Sequence, residues 1–440
     1  MNDGQNDVSV PANNARDAWR RLTLEPLRAV DPRYVDCSAA RGTNVIDTLY
    51  TSLDLHSMDE KCMHLLFTGY RGDGKTTELF RFINRIKGEH RPFYINAEEE
   101  FDLNDFTFPD FLLGIARAVF DRMDEQKLSL SDTLIREVAG WFSQVVETVD
   151  LKTSAEITAE AGAESPKLFK FVTAKLMGTI KAGGEKRKQV RTELNQNLTQ
   201  LIDKVDKLLS EAVKVSQQSD NRKLVIIFDS LDRLRPELAY DLFHTNGQNL
   251  RELNSHFIYV VPISLLYQPE SPLLPFDADN IIVMPMISVR NKENQPNEAN
   301  IAHLTGLLKR RFVPNGIMTA PDEIMRAFIL ASGGNLRDLM RLFRQACRDA
   351  LSEPDKKINP KIAQRAINEL CETYQRAVAE EDYADLIQTY KNKTAENNER
   401  MQRLIYNNVI LVYEENGVTW KDVHSALANG EKFLKLLLGS

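Results

Sequence analysis

Short apolar runs of strand length recur through the first two thirds of the chain, and stretches with helical periodicity separate most of them. A run such as LVIIF at 224–228 carries no polar alternation, which is typical of a strand covered on both faces in a mostly parallel sheet. The runs span residues 64–69, 92–97, 223–230, 256–263 and 280–286. Their alternation with helical stretches predicts an α/β core.

After about residue 296 the strand signals stop and helix-periodic stretches follow, separated by Pro, Gly and Asn. Residues 401–438 resume a mixed pattern of a helix, a short β-type run, an ENG turn and another helix. The predicted division of the chain is 1–45 for an N-terminal linker, 46–290 for the α/β core, 296–375 for a helical domain and 376–440 for a small winged-helix-like module.

An unusually long interval, about residues 125–222, lies between the second and third predicted strands and is interpreted as a helical insertion. Near its end, apolar residues recur at alternating spacings of four and three, which predicts a long helix with a heptad seam. The seam consists of Leu194, Leu198, Leu201, Val205, Leu208, Ala212 and Val215. Two interpretations stay open: the helix packs on its own insertion, or it pairs with another protomer or a partner.

A basic amphipathic stretch at 165–191 precedes the seam, with Phe169, Phe171, Leu176 and Met177 among lysines. Contact with a membrane surface, contact with DNA, and packing beside the heptad helix with solvated lysines are all compatible with this pattern.

The composition is that of an ordinary globular protein of 440 residues, 42% hydrophobic and 27% charged, with a formal net charge of −7. That charge gives no overall attraction toward nucleic acid or an anionic membrane. The first residues, MNDGQNDVSVPANNARD, show no signal-peptide pattern, and no run of about 18 apolar residues occurs. We therefore expect a cytoplasmic protein without a transmembrane segment.

Cysteine and histidine patterns predict neither a disulfide framework nor a zinc site. Four cysteines stand far apart without a CxxC pair, and seven histidines include no HExxH motif. Buried or half-buried thiols are the expected state of the cysteines.

The segment GYRGDGKT at 69–76 matches the spacing G-x-x-x-x-G-K-[ST], follows an apolar run and opens a helical stretch. In such a loop, glycines let backbone N–H groups turn toward a phosphate chain, and the helix dipole adds to the attraction. Lys75 is expected to reach the β and γ phosphates and Thr76 to bind magnesium, so ATP and Mg²⁺ are the predicted ligands. A glycine-rich turn into a helix is the alternative. The residues expected to contact the nucleotide here are Gly69, Arg71, Gly72, Asp73, Gly74, Lys75, Thr76 and Thr77.

Two carboxylates follow the third apolar run, in LVIIFDSLDRL. Asp229 is expected to hold magnesium together with Thr76, its alternative role being a helix N-cap. Ser230 stands where a second acid often follows the first, so Asp232 is the nearest candidate to orient or deprotonate water. The alternative for Asp232 is a structural pair with Arg233 or Arg235.

In the helical domain, a Gly-Gly-Asn turn places Arg337 in the first turn of a helix, an unfavourable end for a cation without an anionic partner. Phosphate is the expected partner, which makes Arg337 a candidate catalytic residue. A surface arginine on a capped helix is the alternative.

Taken in order, GYRGDGKTTEL, IIFDSLDRL, IYVVPISLLY and SGGNLRDLMRL resemble the P-loop ATPases of the AAA+ and STAND groups, over roughly residues 20–350. These groups include origin-recognition-type ATPases and ATPases of bacterial anti-phage defence loci. The segment RLIYNNVILVYEENGVTWKDVHSAL is also similar to the C-terminal part of the defence ATPases, with a Val423–His424 dipeptide. The resemblance implies a P-loop NTPase core, a helical lid, a long helical insertion and a small C-terminal module.

The resemblance also assigns roles. It implies that 69–77 is the Walker A segment, that Asp229 is the Walker B acid, that Arg337 is a sensor reaching the nucleotide from the lid, and that Tyr34 and Val35 lie near the adenine. Two departures concern hydrolysis: Ser230 replaces an acid found in many relatives, and Ser264 is the substitute for a usual Asn or Thr at a strand end.

The predicted function is an ATP-binding and ATP-hydrolysing switch that controls self-assembly or a partner effector encoded nearby, in bacterial defence. A homo-oligomer is expected, and Arg310 and Arg311 are weighed as a finger toward a neighbouring protomer or as structural lid residues. The alternatives are a DNA-binding initiator or loader, although the C-terminal residues are poor in basic side chains, and a nucleotide-locked scaffold with negligible turnover.

Overall fold

A computed structural model describes residues 9–58, 61–162, 164–415 and 417–439. Its centre is a parallel sheet of five strands in the order β2-β3-β4-β1-β5. The strands are β1 (His64–Gly69), β2 (His90–Asn96), β3 (Lys223–Asp229), β4 (His256–Pro262) and β5 (Ile281–Val283). All five predicted strands and the α/β fold class are therefore confirmed.

Six helices lie between the first described residues and the long insertion, and five more fill the insertion itself. The first six are α1 (Ala15–Arg21), α2 (Ser38–Arg41), α3 (Val45–Met58), α4 (Lys75–Ile86), α5 (Ala97–Glu100) and α6 (Phe108–Glu125). The insertion contains α7 (Asp132–Thr148), α8 (Ser154–Ala161), α9 (Ser165–Ala182), α10 (Gly184–Gln196) and α11 (Leu198–Asp220).

Helices cover both faces of the sheet, as the continuous apolar strands require. Leu65 and Phe67 of β1 lie in one apolar cluster with residues of α3 and α4, whereas Leu66 between them lies in a second cluster with residues of α6 and α11. Successive side chains of a strand point to opposite faces, so one strand feeds both clusters.

The heptad seam packs inside its own protomer. Leu201, Val205, Leu208 and Ala212 are 0% exposed and lie in the cluster that contains α6 and the strands. The predicted long helix is divided at Asn197, where the backbone leaves the helical region, so the first seam residue belongs to α10. The interpretation of this seam as an interface between protomers is therefore wrong, because its apolar side is already covered.

The basic amphipathic stretch forms α9 and the start of α10, and its apolar side is also covered. Phe169, Leu176 and Met177 are buried in the same cluster, and Phe171 packs against it. Lys170 lies 2.6 Å from a carboxylate oxygen of Asp124. Packing beside the insertion helices is therefore the interpretation that holds.

Beyond the insertion, helices dominate the rest of the chain, and they end with a two-stranded antiparallel hairpin flanked by helices. They are α12 (Pro236–Tyr240), α13 (Gly247–Arg251), α14 (Glu298–Lys309), α15 (Pro314–Ile317), α16 (Pro321–Ala331), α17 (Leu336–Ala350), α18 (Pro360–Gln375), α19 (Tyr383–Asn392), α20 (Glu399–Tyr406), β6 (Ile410–Glu415), β7 (Val418–Val423), α21 (Ser425–Ala428) and α22 (Glu431–Gly439). The winged-helix assignment of the last elements stays a prediction.

Parts of five predictions fall on residues outside the described ones. They are residues 1–8 of the N-terminal linker, residues 59–60 of the α/β core, residue 163 of the insertion, Asn416 of the ENG turn and Ser440 at the end of the C-terminal module. Within the described ranges, no helix combines the length and the apolarity needed to cross a membrane.

Histidines occupy the first position of three parallel strands, at the amino edge of the sheet: His64, His90 and His256. Burial lowers the pKa of His64 to about 4 and that of His256 to about 4, and it lowers the pKa of His90 as well. The imidazole of His256 accepts a hydrogen bond from the Met63 N–H at 3.0 Å, which needs an unprotonated Nδ1. This edge of the sheet is therefore built for neutral imidazoles.

We expect the free energy of unfolding to fall as the pH drops from about 6.5 to about 4. In that window the unfolded chain binds protons at His64 and His256 that the folded protein does not bind, because their folded pKa values are lower. Each ring contributes a loss of about 3 kcal/mol once the pH is below both values. Urea unfolding of the wild type and of a double variant, His64→Gln with His256→Gln, measures the difference in pH slope.

The variant is expected to lose part of this pH dependence. Its carboxylates are the same as those of the wild type, so their contribution to the pH slope is the same in both proteins. Identical slopes in the two proteins would contradict the assignment of the acid sensitivity to these rings.

Candidate functional site

The loop between β1 and α4 is shaped by glycines. Gly72 and Gly74 have φ values of 96° and 99°, in the left-handed region that favours glycine. A Cβ atom at Gly72 would lie 2.6 Å from Arg337 Cβ and 2.6 Å from the side-chain oxygen of Asn335, so a larger residue does not fit. Helix α4 begins at Lys75, directly after the loop, and its N-terminal amides face this turn. The strand, loop and helix predicted around the GYRGDGKT motif are all present.

Lys75 is buried, and its ammonium group is engaged on three sides. Nζ donates to the carbonyl oxygens of Gly69 at 2.8 Å and Tyr70 at 2.9 Å. The same nitrogen lies 2.8 Å from Oδ2 of Asp232. Because an ammonium group has three N–H donors, a phosphate that binds Lys75 has to replace one of these partners. Asp232 is the anionic one of the three, so its ion pair and a phosphate compete for the same donor.

Asp229 ends β3 and is 2% exposed. Its carboxylate accepts hydrogen bonds from the Tyr94 hydroxyl at 2.8 Å and from the Ser230 N–H at 2.7 Å, and the nearby Thr76 hydroxyl favours its charged form. Burial, followed by the nearby charge of Asp232, raises the pKa of the Asp229 carboxyl. The structure thus brings together the hydroxyl and the carboxylate that the sequence proposes as magnesium ligands.

Asp232 lies in a short 3-10 helix after Ser230. Ser230 has a φ of 68°, which is uncommon for a residue other than glycine and turns the chain sharply at the end of β3. The predicted alternative of an ion pair between Asp232 and Arg233 is wrong, because Arg233 pairs with Glu98 and Asp232 pairs with Lys75. The turn therefore brings Asp232 to the loop, as its candidate role at the phosphates requires.

The start of α17 lies directly on the loop. The Arg337 N–H donates to the Gly72 carbonyl at 3.0 Å, and the side chain of Asn335 donates to the Arg71 carbonyl at 2.9 Å. Burial and the neighbouring charge of Arg341 lower the pKa of the Arg337 guanidinium. An anion in the cleft would stabilise this crowded cation, which agrees with the role proposed for Arg337 from the sequence.

Residues of the N-terminal segment also line the cleft, among them Tyr34 and Val35. The Tyr34 hydroxyl donates to Oε2 of Glu78 at 3.1 Å, and the Thr77 hydroxyl accepts from the Leu27 N–H at 3.1 Å. These bonds fix the segment to the first turn of α4, next to the loop.

Two other residues weighed from the sequence have different outcomes. Arg311 lines the cleft but is 7% exposed, and Nη1 donates to the carbonyls of Leu307 at 2.8 Å and Arg33 at 3.1 Å. Burial lowers its pKa to about 10. These contacts support the structural alternative for Arg311. Ser264 is 0% exposed and is not among the residues that line the cleft.

Together these elements enclose a cleft of about 1020 Å³, counting space open to solvent. Its residues fit a phosphate chain with a divalent cation. The left-handed glycines leave the backbone uncovered, and the Thr76 hydroxyl beside the Asp229 carboxylate is an oxygen pair suited to Mg²⁺. In addition, Nη2 of Arg71 is buried without a hydrogen-bond partner among the described residues.

Comparison with protein families agrees with this geometry. Residues 43–260, which include the first three strands, most of β4 and the loop, match the model described as the KAP family P-loop domain. The chain contains a P-loop NTPase domain. The P-loop NTPase core predicted from the motif is thereby confirmed. No curated protein matches the chain.

Solved structures with similar chains share little sequence with this one. A Walker-type ATPase of Pyrococcus abyssi is 14% identical with a TM-score of 0.43, over 94% of this chain and 99% of that chain. The ORC1 protein of Aeropyrum pernix, in complex with DNA, is 14% identical with a TM-score of 0.38, over 96% and 98%. Cdc6p of Pyrobaculum aerophilum is 12% identical with a TM-score of 0.38, over 92% and 98%.

The P-loop of this domain is also contacted by the C-terminal segment, defined as residues 399–415 and 417–439. The Tyr70 hydroxyl donates to the Ile410 carbonyl at 3.0 Å, and the Asn408 side chain donates to the Arg71 carbonyl at 3.0 Å. The guanidinium carbon of Arg71 lies 4.0 Å from the centroid of the Tyr406 ring. The loop is therefore held from the side of α17 and from the C-terminal segment at once.

His424, which the family resemblance singled out, contacts α17 and α18 instead of the P-loop. It is 0% exposed, stacks on Tyr374 at 3.9 Å between ring centroids, and places Nε2 at 3.4 Å from Oδ2 of Asp338. Asp338 directly follows Arg337 in α17. His424 thus contacts the helix that carries Arg337 and not the loop itself.

Sequence reasoning missed several residues around the P-loop. Arg41 is buried and donates to the carbonyls of Asp73 at 2.6 Å and Pro285 at 2.5 Å, which ties the loop to the segment after β5. Tyr406 and Asn408 were missed as well. The Gly-Gly-Asn turn was recognised, but its asparagine was not assigned to the loop. An arginine or asparagine at a turn carries no signal of a partner hundreds of residues away.

Asp73 was predicted to contact the nucleotide, and the structure places it differently from the other loop residues. Its side chain is 0% exposed, and both carboxylate oxygens lack a hydrogen-bond partner among the described residues. Burial raises the pKa of Asp73 to about 6, against the opposing effects of Arg41 and Lys75. Its N–H donates to the Tyr70 carbonyl at 3.3 Å, so only a rearranged loop would offer that amide to a phosphate.

Proposed function

We propose that the protein is an ATP-binding and ATP-hydrolysing switch whose nucleotide state is transmitted to α17 and to the C-terminal segment. The observation that carries the proposal is that both regions bond to the P-loop backbone itself. Arg337 donates to the Gly72 carbonyl, while Asn335 and Asn408 donate to the Arg71 carbonyl. If the loop adjusts to bound phosphates, the geometry of these bonds changes. The stability of the contacts that α17 and the C-terminal segment make with the loop changes with it.

In this proposal Lys75 binds the β and γ phosphates, Thr76 and Asp229 hold Mg²⁺, and Tyr34 and Val35 border the adenine. Bound magnesium would supply positive charge that neutralises the phosphate oxygens. Arg337, which also lines the cleft, adds charge from α17. Asp229, whose raised pKa reflects burial beside Asp232, becomes more acidic when a cation lies next to it.

Hydrolysis is attributed to the release of Asp232. Once a phosphate takes the Lys75 donor, the carboxylate of Asp232 is free to orient a water for attack on the γ-phosphate. The bond between the γ-phosphorus and the bridging oxygen breaks, and ADP and inorganic phosphate leave. Ser230, in place of a second acid, makes Asp232 the carboxylate available for this role.

Replacing Asp232 with asparagine is expected to slow single-turnover ATP hydrolysis at least tenfold. The same change is expected to tighten ATP binding several-fold, because the asparagine amide no longer holds Lys75 as an anion does. Rapid-quench measurement gives the hydrolysis rate, and titration with a fluorescent ATP analogue gives the affinity. Unchanged hydrolysis together with unchanged affinity would remove Asp232 from the mechanism.

The domain boundaries at 46–290, 296–375 and 376–440 are part of the proposal, with the helices of 298–375 acting as a lid on the P-loop. The family resemblance supports a homo-oligomer that controls an effector protein encoded nearby, in bacterial anti-phage defence. The buried heptad seam is not the proposed interface, so assembly would use another surface.

Hydrogen exchange with and without nucleotide tests the switch. ATP is expected to change amide exchange in the C-terminal segment and at the start of α17, and ADP is expected to produce a different pattern. Light scattering in the same solutions measures assembly. A protein that binds ATP without any change in the exchange of these two regions would refute the proposed transmission.

Contacts within the protein do not favour the DNA-binding alternative. Every basic side chain described in the C-terminal segment already has a partner in the chain. Arg400 binds Asp385, Arg403 binds Asp382, Lys421 binds the Ala395 carbonyl, Lys432 binds Glu380 and Lys435 binds Glu431. A salt-dependent DNA titration tests this alternative, and single-turnover hydrolysis tests the scaffold alternative.

A further inference from the structure

Arg71 occupies the third position of the P-loop motif and lines the cleft. Its Nε donates to the backbone carbonyl of Asp232 at 3.3 Å, and its guanidinium carbon lies 4.0 Å from the centroid of the Tyr406 ring. A hydrogen bond on one edge and a stacked aromatic ring on the face hold the guanidinium plane in a fixed orientation.

One edge of this fixed guanidinium has no partner. Nη2 of Arg71 is buried and forms no hydrogen bond with any described residue. A buried charged donor without an acceptor is costly, and native proteins seldom leave one unless a ligand completes the bond. An arginine fork is also the side chain best matched to two oxygens of a phosphate.

The other basic residues of the cleft do not share this state. Lys75 has three partners, Arg233 pairs with Glu98, and Nη1 of Arg311 donates to backbone carbonyls. Arg337 also lines the cleft, but none of its side-chain nitrogens is both buried and unpartnered among the described residues. Among the basic residues that line the cleft, Arg71 alone has a side-chain nitrogen that is buried and unpartnered within the described part of the chain.

The position of Arg71 relative to Asp232 points to one particular phosphate. The Asp232 carboxylate contacts the Lys75 ammonium, while the Asp232 carbonyl contacts the Arg71 guanidinium. The two cations therefore flank the same residue. In the function proposed above, on which this inference rests, Asp232 faces the γ-phosphate, so Arg71 lies at that end of the phosphate chain.

We propose that the Arg71 side chain binds the terminal phosphate of a nucleoside triphosphate and thereby distinguishes ATP from ADP, with Tyr406 of the C-terminal segment as its positioning residue. The guanidinium contributes to the binding of ATP. It adds nothing to the binding of ADP, because ADP lacks the terminal phosphate that the guanidinium would contact. Tyr406 acts through Arg71: its ring fixes the plane in which Nη2 is presented. The discrimination between the two nucleotides therefore depends on a residue more than 300 positions away in sequence.

Affinities for ADP and for a non-hydrolysable ATP analogue, measured by calorimetry at fixed Mg²⁺, test the proposal. Arg71→Ala is expected to weaken the affinity for the ATP analogue roughly tenfold or more and to change the affinity for ADP by no more than about twofold. The reason is that a hydrogen bond to a charged group is lost only for the triphosphate. Arg71→Lys keeps the charge but not the planar fork, so an intermediate loss is expected.

Tyr406 provides a matched pair of variants that leaves the P-loop sequence intact. Tyr406→Leu removes the stacked ring and is expected to lower the preference for the ATP analogue about threefold, as an exposed cation–π contact would. Tyr406→Phe keeps the ring, removes only the hydroxyl that donates to the Arg233 carbonyl, and is expected to keep the preference of the wild type. Thermal unfolding without nucleotide shows whether each variant is folded.

Equal weakening of both nucleotides in Arg71→Ala, or an unchanged ratio in folded Arg71→Ala and Tyr406→Leu, would overturn the assignment of Arg71 while leaving nucleotide binding intact. A wild type that binds neither nucleotide would instead refute the proposed function, and this inference with it. If Arg71→Ala does not fold, Arg71→Lys and the Tyr406 pair decide the question.

Discussion

ATP binding is expected to fall at least 100-fold, and hydrolysis to become undetectable, when Lys75 is replaced by alanine. Lys75 is the buried cation of the P-loop, and its ammonium already bridges two loop carbonyls and Asp232. Its loss would remove both the proposed phosphate contact and the charge that organises the loop. Titration with a fluorescent ATP analogue and a phosphate-release assay measure the two effects.

The control for this variant follows from the ion pair. Removing Lys75 alone leaves Asp232 beside the buried Asp229 without its cation, which destabilises the site by itself. The double variant Lys75→Ala with Asp232→Asn removes that charge and is expected to be more stable, yet equally unable to bind ATP. A folded Lys75→Ala protein with normal turnover would contradict the P-loop mechanism.

Replacing Leu201 and Leu208 together with glutamate is expected to unfold the protein and not merely to separate protomers. Both side chains are 0% exposed in the cluster that joins α11 to α6 and the sheet. Each change removes a buried apolar side chain and buries a carboxylate without a partner, a loss of about 3 kcal/mol or more per site. Two such losses approach the whole stability of a typical domain.

Urea unfolding followed by circular dichroism measures this effect. The matched control is Thr199→Glu with Gln218→Glu, which adds the same two charges at exposed positions of the same helix. The control is expected to keep its unfolding midpoint within a small shift. A folded, stable Leu201/Leu208 variant that only loses self-association would restore the seam as an interface between protomers.

The strands could be predicted because their signal is local and continuous. A fully buried strand has apolar residues on both faces, and this is visible without knowing which helices cover it. The main difference is in the last strand, predicted to reach residue 286 but ending at Val283. Pro285 has no N–H to continue the ladder, and Met284 makes the final bond, to the Thr68 carbonyl at 2.7 Å.

The heptad seam shows the limit of periodicity. Spacing reveals which side of a helix is apolar, but it does not reveal what covers that side. A pattern of four and three is equally compatible with a coiled-coil partner and with a neighbouring helix of the same chain. Here α6 and the sheet occupy that side of α11, and only the tertiary structure contains this information.

The candidate site also contains both residues that local sequence patterns predict and contacts that only the tertiary structure reveals. Gly74, Lys75 and Thr76 follow from a motif of fixed spacing, and Asp229 follows from its place at a strand end. The ion pair between Lys75 and Asp232 is not encoded in either local pattern, because it depends on the sharp turn at Ser230. Contacts from the C-terminal segment were equally beyond reach, since no short motif specifies them.

Because a protein is synthesised from its N-terminus, the contacts between the P-loop and the C-terminal segment form late in folding. The bond between Tyr70 and Ile410 joins residues 340 positions apart, and that between Arg71 and Asn408 joins residues 337 apart. The strands and α4 have been translated long before these partners leave the ribosome. The P-loop therefore acquires its complete set of bonds only after residue 410 has been synthesised, and a nascent protein ending before α20 has the Walker motif without the contacts that hold it in its final shape.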